Sequence, residues 1–191
     1  MITANRIAAA LYACYRLARR DSGGMAYFDR TAQGARESFF AAVLLAPIVF
    51  ALSAAEKWEE LQTLFIPQVV VLKLLFYVIG WTLVPVLAIW LVEWLDRKPR
   101  YFDLVIAYNW ISVPAVLCLL PLQILYFSGT IGREVFATIG LAVMLVVMVY
   151  EWFIVKTALD INGGLAAGLV AMDFVLSQLL FAMSDYVVYG G

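Results

Sequence analysis

Five apolar runs, each long enough to cross a bilayer, set the limits on what this chain can fold into. A hydrocarbon core about 30 Å thick takes roughly 20 helical residues at 1.5 Å each. The runs cover 38–55, 67–92, 104–127, 131–150 and 165–188. The first is the shortest and is expected to begin before Ser38. Short polar segments separate them: Glu56 to Glu60, Glu93 to Asp103, Ser128-Gly129-Thr130, and Glu151 to Gly164 with its Asn162-Gly163-Gly164 breaker. In lipid every backbone N–H and C=O needs an internal partner, so such runs fold as helices. The expected fold is all-α: a polytopic bundle of five transmembrane helices over residues 31–191. Composition agrees, with 65% hydrophobic and 14% charged residues against about 25% charged in soluble domains.

Residues 1–30 are different and read as a basic amphipathic segment, cytoplasmic or interfacial. At helical spacing Ile7, Leu11, Cys14, Tyr15 and Ala18 fall on one face, with Leu17 outside it. Arg6, Arg16, Arg19 and Arg20 lie away from that face, as membrane-surface helices place their cations toward anionic lipid. A solvent-exposed helix is the alternative. Gly23-Gly24 ends the segment and no long apolar core follows the charges, so it does not read as a signal peptide.

Lysine and arginine set the expected orientation. With the N-terminus inside, the inner segments carry Arg6, Arg16, Arg19, Arg20, Arg30, Arg36, Arg97, Lys98, Arg100 and Lys156, and the outer loops only Lys57 and Arg133. That bias predicts a cytoplasmic N-terminus and a C-terminus on the opposite side, periplasmic in a bacterial inner membrane.

The chain contains an internal echo. A shift of 74 positions places Tyr27-Phe28-Asp29 on Tyr101-Phe102-Asp103, Ser38 on Ser112, Ala41 on Ala115, Leu45 on Leu119 and Pro47 on Pro121. Membrane folds are often built from duplicated units. Chance recurrence of aromatic, small and proline residues in apolar runs is the competing account.

Polar side chains inside the runs are the candidates for chemistry, because an intramembrane charge costs a few kcal/mol and must be paired, wetted or protonated. Asp173 lies roughly 12 Å into the fifth run, with Ser177 and Ser184 on its face. Lys73 lies about 10 Å into the second and shares a face with Tyr77 and Gly80. Asn109, Ser112 and Gln123 form an arc on the third. The three stripes are expected to converge on one polar site. Asp173 and Lys73 could tie helices together, paired to each other or to hydroxyls. Lys73 could instead snorkel outward, and Asp173 could relay protons or cations. Outside the runs, Glu93, Asp96, Asp103, Glu151 and Asp160 beside Arg97, Lys98 and Arg100 read as a solvated, mutually paired surface.

Several classes drop out. With no histidine in the sequence the commonest metal ligand and general base are missing. Cys14 and Cys118 fall in different environments and are not expected to pair. There is no phosphate loop, nucleophile elbow or metal-ligand spacing. No cofactor, metal or nucleic-acid partner is expected, and no enzymatic activity. The expected partners are the lipid bilayer, other membrane proteins or further copies of the chain.

The segment Tyr108-Asn109-Trp110-Ile111-Ser112-Val113-Pro114 puts an aromatic, a short polar step and a proline at the entry to the third of five runs. In this it resembles the Yip family of five-span integral membrane proteins, over about residues 30 to 185. The Asp-Leu-Tyr-Gly-Pro motif and long polar N-terminal domain of the eukaryotic members are missing, which points to the bacterial branch. The resemblance implies a non-enzymatic membrane-organising or partner-binding role and carries over no catalytic residue. The competing class is a small transporter or channel subunit built on Asp173, Lys73 and the Asn109/Ser112/Gln123 arc. A polar cavity running to Asp173 would favour transport, and a dry bundle with Asp173 capped would favour the scaffold.

Overall fold

The computed structural model describes residues 2–190. Eight α-helices are present and no strand among the described residues: α1 (Ala4–Ala18), α2 (Ala32–Ser38), α3 (Phe40–Glu56), α4 (Trp58–Leu61), α5 (Ile66–Trp94), α6 (Tyr101–Phe127), α7 (Arg133–Leu159) and α8 (Gly163–Tyr189). Short 3-10 turns at Ser22–Tyr27 and Lys98–Arg100 join α1 to α2 and α5 to α6.

Five helical stretches are long and apolar enough to cross a membrane: Ala32–Glu56, Ile66–Trp94, Lys98–Phe127, Arg133–Leu159 and Gly163–Tyr189, with mean hydropathies of 1.9 to 2.2. Their outward faces carry large apolar side chains, among them Val71, Trp90 and Val146. Such faces suit a lipid surround, where apolar exposure has no cost. The packed interior is correspondingly narrow. It follows the first turns of α6, from Leu104 to Ile111, against Ala88 and Val92 of α5, Ile154 to Leu159 of α7, and Ala166 and Val170 of α8.

Helix ends follow from local chemistry. Thr31 caps α2 by accepting from the Gly34 N–H at 3.1 Å, and Asn162 caps α8 by accepting from Leu165 N–H at 2.9 Å. Gly34 is obligatory on packing grounds, since a Cβ there would stand 1.7 Å from the Asp29 carbonyl oxygen. The α7 helix ends on Asp160 in the left-handed region, φ 53°.

Two expectations need correction. The fourth helix runs on to Leu159 rather than stopping at Tyr150, so Glu151 sits inside it instead of in a solvated loop. Nothing breaks the helix before Asp160, and Ile154, Val155, Ala158 and Leu159 continue its buried stripe. Asp103 is also not part of a solvated surface. It is buried at the first turn of α6, receiving Arg30 through Nε at 2.5 Å and a second guanidinium N–H, and Arg100 at 3.2 Å. In α1, Leu17 joins the buried residues although it falls outside the expected apolar face. Ala10, Ala13, Cys14 and Leu17 are buried against α6 and α7, while Leu11, Tyr15 and Ala18 are exposed. Small residues at i, i+3 and i+4 (Ala10, Ala13 and Cys14) let the helix approach closely, with Leu17 at i+7 completing the buried stripe.

Candidate functional site

Two polar groups of residues occupy the interior of the bundle, at different depths. The first joins α6, α7 and α8. Tyr108 Oη donates to Asp173 Oδ1 at 2.9 Å, and Glu151 borders the same small cavity as Asp173. These groups border a cavity of about 40 Å³ whose other walls are apolar, including Ala88, Leu104, Leu169 and Leu176. Asp173 is therefore capped.

The second group lies toward the far end, away from α1. Lys73 of α5 donates to Asp185 of α8 at 2.9 Å and stands 4.8 Å from the Tyr189 ring centroid. An ammonium at that distance from a ring face gains electrostatically from the ring quadrupole. Below it a cavity of about 300 Å³ opens between α3, α5, α6 and α8. Ser53, Tyr77, Ser112, Ser177 and Ser184 give it a polar lining within largely apolar walls. Tyr108 borders both cavities, so its ring separates the larger one from Asp173 and Glu151.

The sequence-predicted residues thus divide among several places. Lys73 and Asp173 do not pair with each other, because α8 carries a second carboxylate, Asp185, at the depth of Lys73. Ser112 and Ser177 do line one cavity with Lys73. Asn109 points the other way: its Nδ2 donates to Ser38 Oγ at 2.8 Å, and Ser38 in turn donates to the Ala35 carbonyl at 2.7 Å. The Asn109 Oδ1 is buried with no partner among the described residues. Gln123 borders neither cavity, being four turns further along α6. The expected convergence of three stripes on one site is replaced by two cavities with Tyr108 between them and a separate α2–α6 clasp.

Sequence reasoning missed Glu151, Asp185 and the role of Tyr108. Glu151 was hidden by placing the end of the fourth run too early. For Asp185 a signal existed: at helical rise, Lys73 lies about 10 Å from the start of α5 and Asp185 about 6 Å from the end of α8, at the same face of the membrane.

At the α1 end the four arginines Arg6, Arg16, Arg19 and Arg20 are not equivalent. Arg6 pairs with Glu37 at 2.5 Å and Asp29 at 3.2 Å. Arg16 pairs with Asp21, holding that carboxyl below its usual range. Arg19 donates to the Tyr15 hydroxyl at 2.8 Å. Arg20, with φ 59°, makes no ion pair among the described residues. The echoed aspartates meet different partners, Asp29 the Arg6 side chain and Asp103 the Arg30 and Arg100 side chains.

No cluster of three or more metal-ligating side chains occurs among the described residues. The chain matches no family model, no curated protein and no solved structure.

Proposed function

We propose that the protein is a non-enzymatic, membrane-organising or partner-binding integral membrane protein, resembling the bacterial branch of the Yip family. Its proposed place is a bacterial inner membrane, N-terminus cytoplasmic, C-terminus periplasmic, with α1 lying in the headgroup plane. One observation carries this reading: Asp173 is bonded by Tyr108 on a small, largely apolar cavity and does not line the larger one. Lys73–Asp185 and Asn109–Ser38 likewise tie one helix to another. Polar pairs of this kind fasten a bundle in lipid. The surface on offer to a partner is the outer side of α1 and its following turn, where Leu11, Tyr12, Tyr15 and Tyr27 are exposed beside Arg16 and Arg19. Tyrosine with arginine is the composition of binding surfaces and of membrane interfaces alike.

The test is affinity purification of the full chain from mild detergent, with identification of co-purifying proteins. Tyr12→Ala with Tyr15→Ala is expected to lose the partner while membrane insertion is kept. Retention of every partner by that variant would remove the surface from the proposal.

The second reading is a small transporter or channel subunit, and the cavity of about 300 Å³ ending at Tyr108 favours it. Proteoliposome flux separates the two. Asp173→Asn that abolishes proton or cation flux at unchanged abundance supports transport; lowered abundance or melting temperature without any flux in the parent supports the scaffold.

A further inference from the structure

A groove of about 240 Å³ runs between α6 and α7 beneath the end of α1. Its walls are Pro114, Ala115 and Cys118 of α6 and Val146, Val149, Tyr150 and Phe153 of α7, while Leu17 and Ala18 roof it. The roof is fixed, because Tyr150 Oη donates to the Cys14 carbonyl at 2.8 Å and Leu17 is fully buried. Arg20 is the only charged side chain on the groove among the described residues, and it stands at the roofed end. Unlike Arg6, Arg16 and Arg19 it is not engaged by another described side chain. The groove is therefore cationic at one end and apolar for the rest of its length.

Its depth fits a lipid. Tyr150 and Phe153 lie nine and six residues before the end of α7, about 14 and 9 Å along the helix. A 27-residue helix is about 40 Å long and overhangs a 30 Å core by about 5 Å at each end. The groove thus begins near the headgroup boundary and continues into the acyl region, with Arg20 at the boundary.

We propose that this groove is a site for one anionic glycerophospholipid of the leaflet on the α1 side, its phosphate on Arg20 and one acyl chain between Ala115, Cys118, Val146 and Val149. A soluble anion has no use for the apolar length, and a protein segment would have to enter lipid to reach it. The proposal rests on α1 lying at the membrane surface.

Phosphatidylglycerol is the probe. The purified full chain in mixed micelles is expected to retain one phosphatidylglycerol in native mass spectrometry, in preference to phosphatidylcholine. Arg20→Gln should cut that retention about fivefold, the scale of one arginine beside anionic lipid, and Arg20→Lys should restore most of it. Arg133→Gln, at the far end of α7, should change nothing. Cys118 gives a second readout with no variant in the groove wall: phosphatidylglycerol should slow its maleimide labelling several-fold, and fail to do so in Arg20→Gln. Equal retention of the two lipids, or unchanged retention in Arg20→Gln, overturns the site. Placement of α1 is read separately, from quenching of a fluorophore on Tyr15→Cys, in a Cys118→Ser background, by spin-labelled lipid. Quenching without lipid preference sinks the site and leaves the placement standing; no quenching removes the placement on which the site depends.

Discussion

Ser38 and Asn109 illustrate how unequal the two halves of one hydrogen bond can be. Ser38→Ala strands the Asn109 amide, which is already short of a partner at Oδ1. Leaving a buried donor unmade costs more than removing both partners. The expected loss is about 1–2 kcal/mol in a detergent unfolding titration. Asn109→Leu leaves Ser38 bonded to the Ala35 carbonyl and removes the orphan oxygen, so it should be the milder change although it deletes the larger polar group. The reverse order would mean that Asn109 has a partner in the membrane. At the same scale, burial pushes the Cys14 thiol from its ordinary 9.0 up to about 12. The sign follows from proton counting. Below about pH 9 both folded and unfolded chains hold this proton; above it the unfolded chain releases the proton first. Stability is expected to fall as pH rises from 9 toward 12, and Cys14→Ala should flatten that slope. Maleimide at pH 8 should label Cys118 and spare Cys14 until the chain unfolds.

Elements were legible where period and length were strong, and misread where partners or small residues decided. The five long helices followed from unbroken apolar runs and from the turn residues between them. The end of α7 did not, because Glu151 looked like the start of a loop, although Trp152 to Leu159 kept a helical stripe. In α1 Leu17 fell outside the expected apolar face, yet close packing buries it with Ala10, Ala13 and Cys14. Lys73 had two carboxylates to choose from on α8, Asp173 and Asp185, 12 residues and about 18 Å apart. Counting depth from the helix ends would have chosen Asp185. Contacts such as Arg30–Asp103, 73 residues apart, are tertiary and had no local signal. The turn into α2 yields the prediction that belongs here. Gly34→Ala drives a methyl into the Asp29 carbonyl, and backbone cannot yield as a side chain can. The variant is expected to lose about 2 kcal/mol or more and to release Arg6 from Asp29 and Glu37. Melting temperature and protease sensitivity at residues 19–31 would register both; an unchanged melt would mean that α2 can shift away from Asp29.

For the whole molecule, charge counting gives an orientation that a pair of terminal fusions tests. A reporter after Gly191 is expected to be active only on the periplasmic side, with one at the N-terminus cytoplasmic. Both on the same side would mean an even number of crossings and would exclude one of the five helices from the bilayer. The break between α2 and α3 at Phe39 has a further consequence, in time rather than in space. Ser38 is buried against α6 and bonded to Asn109, and Asn109 is synthesised 71 residues later. Arg30 likewise waits for Asp103. The first crossing therefore enters the membrane with its α1-side end unfinished, and it stays so through the whole of the second. The third crossing then completes it. A nascent chain halted before Asn109 should hold the stretch 30–39 open to protease and labelling reagents, and one halted after the third crossing should close it.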